Sequence, residues 1–128
     1  MAAWKGKVEN VFVSSDATNT TIKTITIEEG SSYLWAEIVN SADKALDAFA
    51  IQVQPHADAD FHTIASVASD FTTAMKRPLL ACDQDMTSLA LSTAGLLWME
   101  VKGLNAVKFL GSSAAGSDTA ISVYWSVR

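Results

Sequence analysis

"LDAFAIQVQPHADADFHTIASV", residues 46–67, is the stretch from which the fold can be read. Phe49, Ile51 and Val53 recur at every second position, the period of an extended chain whose alternate side chains share one face. Pro55 ends that strand, because its nitrogen has no proton to give to a ladder. Two Ala-Asp pairs then supply turn residues, and residues 61–67 read as the returning strand. Strand, short polar loop and strand make a hairpin, and a hairpin implies antiparallel pairing.

The same grammar extends toward the N-terminus. In residues 33–39, Leu34, Ala36 and Ile38 oppose Tyr33, Trp35 and Glu37. Residues 20–28 place Ile25 and Ile27 on one face and Ile22 on the other, a slip that a bulge or a strand buried on both faces would produce. Residues 8–13 form the first strand, closed by "SSDATN".

Toward the C-terminus, residues 96–102, 106–110 and 119–127 alternate clearly, with Thr119, Ile121, Val123, Trp125 and Val127 on one face of the last. Residues 70–95 are less regular. "LLACDQD" suggests a brief strand, and residues 85–94 suggest one short helix, with Asp85 as its N-cap and Gly95 as its stop. Helical periodicity is otherwise nearly absent, and no repeat or long linker divides the chain. The expected fold is all-β: a single-domain antiparallel β-sandwich or jelly roll of about eight strands over residues 8–128, preceded by an arm at residues 1–7.

Composition narrows the function. Charged residues are 18% of the chain and hydrophobic residues 49%, so a small domain has little ionic coating for its outer surface. Apolar surface left over in this way usually marks contact with another protein, which predicts a multimer or a component docked on a larger assembly. The net charge of -5, with basic residues scattered along the chain, argues against a nucleic-acid partner. No apolar run is long enough to span a bilayer, and the start of the chain has no signal-peptide pattern, so neither a membrane nor secretion is expected. The single cysteine, Cys82, cannot form an intramolecular disulfide.

Candidate chemistry is sparse. His56, Asp58, Asp60 and His62 alternate in "HADADFH" and would offer two nitrogens and two oxygens to a metal if the backbone were extended. The composition favours a turned hairpin tip, which separates them, so no metal ligand is assigned. Asp83 and Asp85 begin a D-x-D run, but Ser88 and Ala94 stand where an EF-hand loop needs Gly and Glu. Cys82 lies among Leu79, Leu80 and Ala81 with no histidine beside it, and no nucleophile elbow or phosphate loop is present, so no catalytic residue, cofactor or enzymatic activity is expected. Trp35, Trp98 and Trp125 fall in strands, where core or subunit-interface packing is the ordinary role and a sugar-stacking platform the alternative. Trp4, with Lys5 and Lys7, precedes the first strand and is placed to meet another chain.

The run "GLLWMEVKGLNAVKFLGSSAAGSDTAISVYW", residues 95–125, resembles small β-sandwich structural proteins of tailed bacteriophages, and among them capsid cement, or decoration, proteins. The resemblance lies in an aromatic strand, a "VKGL" link to a second strand ending in Ser and Gly, and a Gly-Ser-Asp turn into a Thr/Ile/Val closing strand. It implies a homotrimer on the virion surface, made in the host cytoplasm, that binds the major capsid protein and clamps neighbouring subunits. It also implies that the arm, residues 1–7 with Trp4, lies at the contact. A carbohydrate- or receptor-binding β-sandwich module and a phage tail or head-completion protein are the alternatives.

Overall fold

Residues 46–54 and 62–65 pair as an antiparallel hairpin in a computed structural model of the chain. The structure describes residues 6–13, 20–41, 44–72, 80–113 and 119–128, the side chains of residues 10 and 12 excepted. Its strands are β1 (Gly6–Val13), β2 (Thr20–Thr26), β3 (Tyr33–Asn40), β4 (Leu46–Gln54), β5 (His62–Ala65), β6 (Leu80–Cys82), β7 (Ala94–Glu100), β8 (Ala106–Ser113) and β9 (Thr119–Val127). A short helix, α1 (Ala68–Thr72), and a 3-10 turn (Met86–Ser88) flank β6.

All pairings are antiparallel, in a five-stranded sheet ordered β1-β9-β3-β7-β6 and a four-stranded sheet ordered β2-β8-β4-β5. β1 pairs with β9, β2 with β8, β3 with β7 and β4 with β5, so the chain is one long hairpin whose tip is the β4–β5 turn. Folding that hairpin over sends successive pairs to opposite sheets, which is the jelly-roll arrangement, with β6 added beside β7 at one edge. The expected all-β sandwich of jelly-roll type is therefore the fold observed.

The core lies between the inner faces. Leu34 and Ile38 of β3, Leu97 and Met99 of β7, and Ile121 and Val123 of β9 meet Phe49 and Ile51 of β4 and Val107 and Phe109 of β8, all fully or almost fully buried. Phe49 stacks on Phe109 at 5.8 Å between centroids and meets Phe71 of α1 edge-on at 5.7 Å, which seals one side of the sandwich. Each such side chain contributes about 1.5–3 kcal/mol by leaving water. Ile22, Ile25 and Ile27 are all buried, because a register shift between Thr21 and Lys23 returns Ile22 to the core face. The bulge inferred from the sequence is present.

The opposite side is closed by Trp125. Gly6 is its register partner, and a Cβ on Gly6 would run into the indole. Lys23 reaches in from β2 with its Nζ 5.2 Å from the ring centroid, a cation–π contact that bridges the two sheets. An inward-turned lysine on an edge strand also discourages pairing with a further strand. Asn40, buried at the end of β3, donates to Lys44 O (2.8 Å) and Leu89 O (3.1 Å) and accepts from Thr119 Oγ1 (2.7 Å), tying β9 to two loops.

Residues 70–95 depart from expectation. The turn capped by Asp85 is a single 3-10 turn rather than a helix reaching residue 94, and Gly95 belongs to β7 instead of ending a helix. A Cβ at Gly95 would come within 2.5 Å of Met86 Sδ, so a side chain there would make the buried end of Met86 shift. Helix α1 was not expected. β1 begins at Gly6, so Gly6 and Lys7, read from the sequence as part of the arm, are strand residues. Among the described residues, no helix is long and apolar enough to cross a membrane.

Candidate functional site

The two sheets turn different outer surfaces to solvent. In β3 the aliphatic residues Leu34, Ala36 and Ile38 face inward, so Tyr33, Trp35, Glu37 and Val39 must face outward. Tyr33 is 42% exposed and Trp35 41%, unusual for rings of that size. Antiparallel register sets Trp35 opposite Trp98 of β7, and Trp98 opposite Ala81 of β6. Tyr33 stacks on Trp98 at 5.2 Å and 23°, and Trp35 meets it edge-on at 6.1 Å and 60°. Three rings thus form one aromatic patch, extended by Leu96 and, across β9, by Tyr124 opposite Glu37.

The outer face of the four-stranded sheet is polar by comparison. Thr24, Lys108, Gln52 and Thr63 lie in one row across β2, β8, β4 and β5, with Gln52 Nε2 donating to Thr63 Oγ1 at 3.1 Å. Thr26 and Gln54 flank this row, and Lys108 covers the ring of Phe61, with Nζ 4.0 Å from its centroid. Leu110, half-buried between Thr21 and Ala50, is its main outward aliphatic side chain. A fold in which one face is threonine, glutamine and lysine and the other is tryptophan and tyrosine has one surface suited to water and one suited to a partner.

A cleft of about 490 Å³ opens where the aromatic face meets the edge strand β6. Its lining includes Trp35, Trp98, Ala81, Leu96 and Leu97. Ala81, the register partner of Trp98, contributes only a methyl group to the lining. Asp83 is the one charged lining residue among the described residues; its Oδ1 accepts from Leu96 N at 2.9 Å while its own N–H donates to Leu96 O at 3.1 Å, continuing the β6–β7 pairing past Cys82. Cys82 also lines the cleft, and burial, with Asp83 adding to it, pushes its thiol up to about 12, so the thiolate needed for nucleophilic chemistry is scarce. A second depression of about 310 Å³ lies at the loop end of the sandwich, between Glu28, Pro55 and Asn105.

The residues singled out in the sequence fall as follows. His56 and Asp58 lie in an exposed turn closed by Ala59 N donating to His56 O at 3.0 Å, and Gln54 Nε2 fastens the loop to Ala59 O at 2.9 Å. Asp60 follows the turn and His62 starts β5, so the four groups do not lie along one extended face. Among the described residues, no three His, Cys, Asp or Glu side chains are grouped to hold a metal. Asp85 caps the 3-10 turn: partial burial raises its carboxyl, but hydrogen bonds from the Thr87 hydroxyl, Thr87 N–H and Ser88 outweigh this and hold it below the usual carboxylate range. Lys7 lies on the aromatic face opposite Tyr124, ion-paired with Glu9 at 3.0 Å; the Glu9 hydrogen bond and charge raise its ammonium. Trp4 and Lys5 lie outside the described residues. No family model, curated protein or solved structure matches the chain.

The aromatic patch was only half visible in the sequence. Alternation separates Tyr33 and Trp35 from the aliphatic face of β3, but nothing local shows that Trp98 lies beside them. That depends on the β3–β7 register.

Proposed function

We propose that this chain is a non-enzymatic assembly protein that docks through the aromatic outer face of its five-stranded sheet, and that the assembly is a virion on which it acts as a capsid cement protein. The observation that carries the docking reading is the contrast between the two outer faces: Tyr33, Trp35 and Trp98 on one, Thr24, Gln52 and Lys108 on the other. Tryptophan and tyrosine supply large contact area with few rotatable bonds, and they dominate the energetics of protein interfaces. The low charge content of the chain points the same way.

The capsid assignment comes from the resemblance of residues 95–125 to phage cement proteins, and the jelly-roll topology is compatible with it. In this role a homotrimer binds several major capsid protein subunits at once, so modest single contacts become a strong combined hold on the shell. Co-sedimentation with empty shells of the phage whose genome encodes the chain tests the assignment. The intact protein pellets with shells, and deleting residues 1–5, which leaves β1 whole, weakens this. An intact chain that stays in the supernatant overturns it.

A second reading has a specific observation behind it. The exposed rings of Tyr33, Trp35 and Trp98 also suit stacking against a sugar, as in a carbohydrate-binding module. A soluble glycan that quenches indole fluorescence at low concentration, and is ignored by a Trp35→Ala variant, would favour this reading over the capsid one.

A further inference from the structure

We propose that the cleft between β6 and β7 is a socket for one large aliphatic side chain of a partner protein, carried on a segment with basic residues on both sides of it. This rests on the reading of the aromatic face as the docking surface and specifies the chemistry of what docks there. The cleft volume of about 490 Å³ is in the range of small-ligand sites, more than a single side chain fills by itself and enough for one with its adjoining backbone. Trp35, Trp98, Ala81, Leu96 and Leu97 offer a lining with little to satisfy a polar group, so an apolar side chain is favoured over a hydroxylated one.

Charge supplies the second half of the proposal. Asp83 lines the cleft, Glu37 is the register partner of Leu96, and Glu100 is the register partner of Tyr33, which stacks on Trp98. Three carboxylates therefore border the apolar lining, in a chain of net charge -5. Arg128 stands at the Tyr33 end, its backbone paired with Tyr33 and its Nε donating to Ser126 Oγ at 3.1 Å. Among the described residues this rim is mostly acidic, so an acidic occupant is disfavoured there and lysine or arginine beside the inserted side chain complements it. Among the described residues, β6 is the edge strand on this side of the cleft and is three residues long.

The test uses the full chain and short peptides capped at both ends: a central leucine flanked by two lysines on each side, the same peptide with a central glycine, and the leucine peptide with glutamates in place of lysines. Indole N–H signals are followed by NMR. The lysine–leucine peptide is expected to shift Trp35 and Trp98 saturably while leaving Trp125 unmoved, with a dissociation constant on the order of 1 mM. Central glycine is expected to weaken binding about tenfold or more. Glutamate flanks are expected to abolish it. Trp35→Ala, at an exposed position, and Glu100→Lys, which leaves the Asp83–Leu96 link in place, should each weaken the lysine–leucine peptide in a chain that remains folded. Equal response to leucine and glycine, or shifts centred on Trp125, overturns the socket. The two readings fail separately. Peptide in the cleft without shell binding keeps the socket and removes the capsid partner. Shell binding by the intact chain, with no saturable Trp35 or Trp98 shift from the lysine–leucine peptide, keeps the docking and removes the socket.

Discussion

Trp35 and Trp98 are register partners on adjacent antiparallel strands, with ring centroids 6.1 Å apart and planes at 60°, on the solvent side of the five-stranded sheet. Edge-on pairs of this kind contribute about 0.5–1.5 kcal/mol beyond their burial, so the patch is held in shape before any partner arrives. The partners are not equivalent for folding. Trp98 lies between Trp35, Tyr33 and Ala81, whereas Trp35 is 41% exposed. Trp35→Ala is expected to lower stability by about 1 kcal/mol or less and Trp98→Ala by about 2 kcal/mol, read as shifts in urea midpoint at constant slope.

Asn40 should be far less tolerant. Its amide serves Lys44 O, Leu89 O and the Thr119 hydroxyl from a position that is 1% exposed. Asn40→Ala leaves those groups to find other partners or go unpaired, for an expected cost of about 2–4 kcal/mol, while Thr119→Val removes one bond and costs about 1 kcal/mol. Equal effects in urea unfolding would show that Asn40 is not the centre of this network.

Gly95 and Met86 form a steric pair. An added Cβ at residue 95 meets Met86 Sδ at 2.5 Å and Cε at 2.6 Å, so Gly95→Ala is expected to cost about 1–3 kcal/mol. The same substitution in a Met86→Ala background should cost clearly less, a coupling that a double-mutant cycle measures. Additive effects would place the strain elsewhere.

Cys82 carries a pH dependence. Burial and Asp83 raise the folded thiol to about 12, above the ~8.5 of an unfolded cysteine, so the folded state favours the neutral form. The associated stability is complete below about pH 8.5 and is lost as pH rises toward 12. Urea midpoints should fall from pH 9 to pH 11 in the native protein and fall less in Cys82→Ala. Native protein should also react with iodoacetamide at pH 8 much more slowly than protein in urea.

Much of the fold is legible because the deciding patterns are local. The alternation of Phe49, Ile51 and Val53 before Pro55, and of Ile121 and Val123 in β9, identifies strands whatever their neighbours, and the Ile22 slip points to a bulge that is there. Residues 70–95 resist such reading because their structure depends on distant contacts. β6 is only three residues long and exists by pairing with β7, and Gly95, which resembles a helix stop, is a β7 residue lying against the Met86 side chain. The aromatic face fails to show for the same reason: Tyr33 and Trp35 are near in sequence, but Trp98 and the Ala81 gap come from register.

The central claim is that the five-stranded sheet, and not the four-stranded one, meets the partner. Placing one charge on each outer face and repeating the shell co-sedimentation tests it most directly: Trp35→Glu on the aromatic side and Thr24→Glu on the polar side, both exposed and both checked for a native urea midpoint. The account predicts that Trp35→Glu stays in the supernatant while Thr24→Glu pellets with the shells like the unaltered chain. Equal pelleting by the two variants, or loss confined to Thr24→Glu, would contradict it.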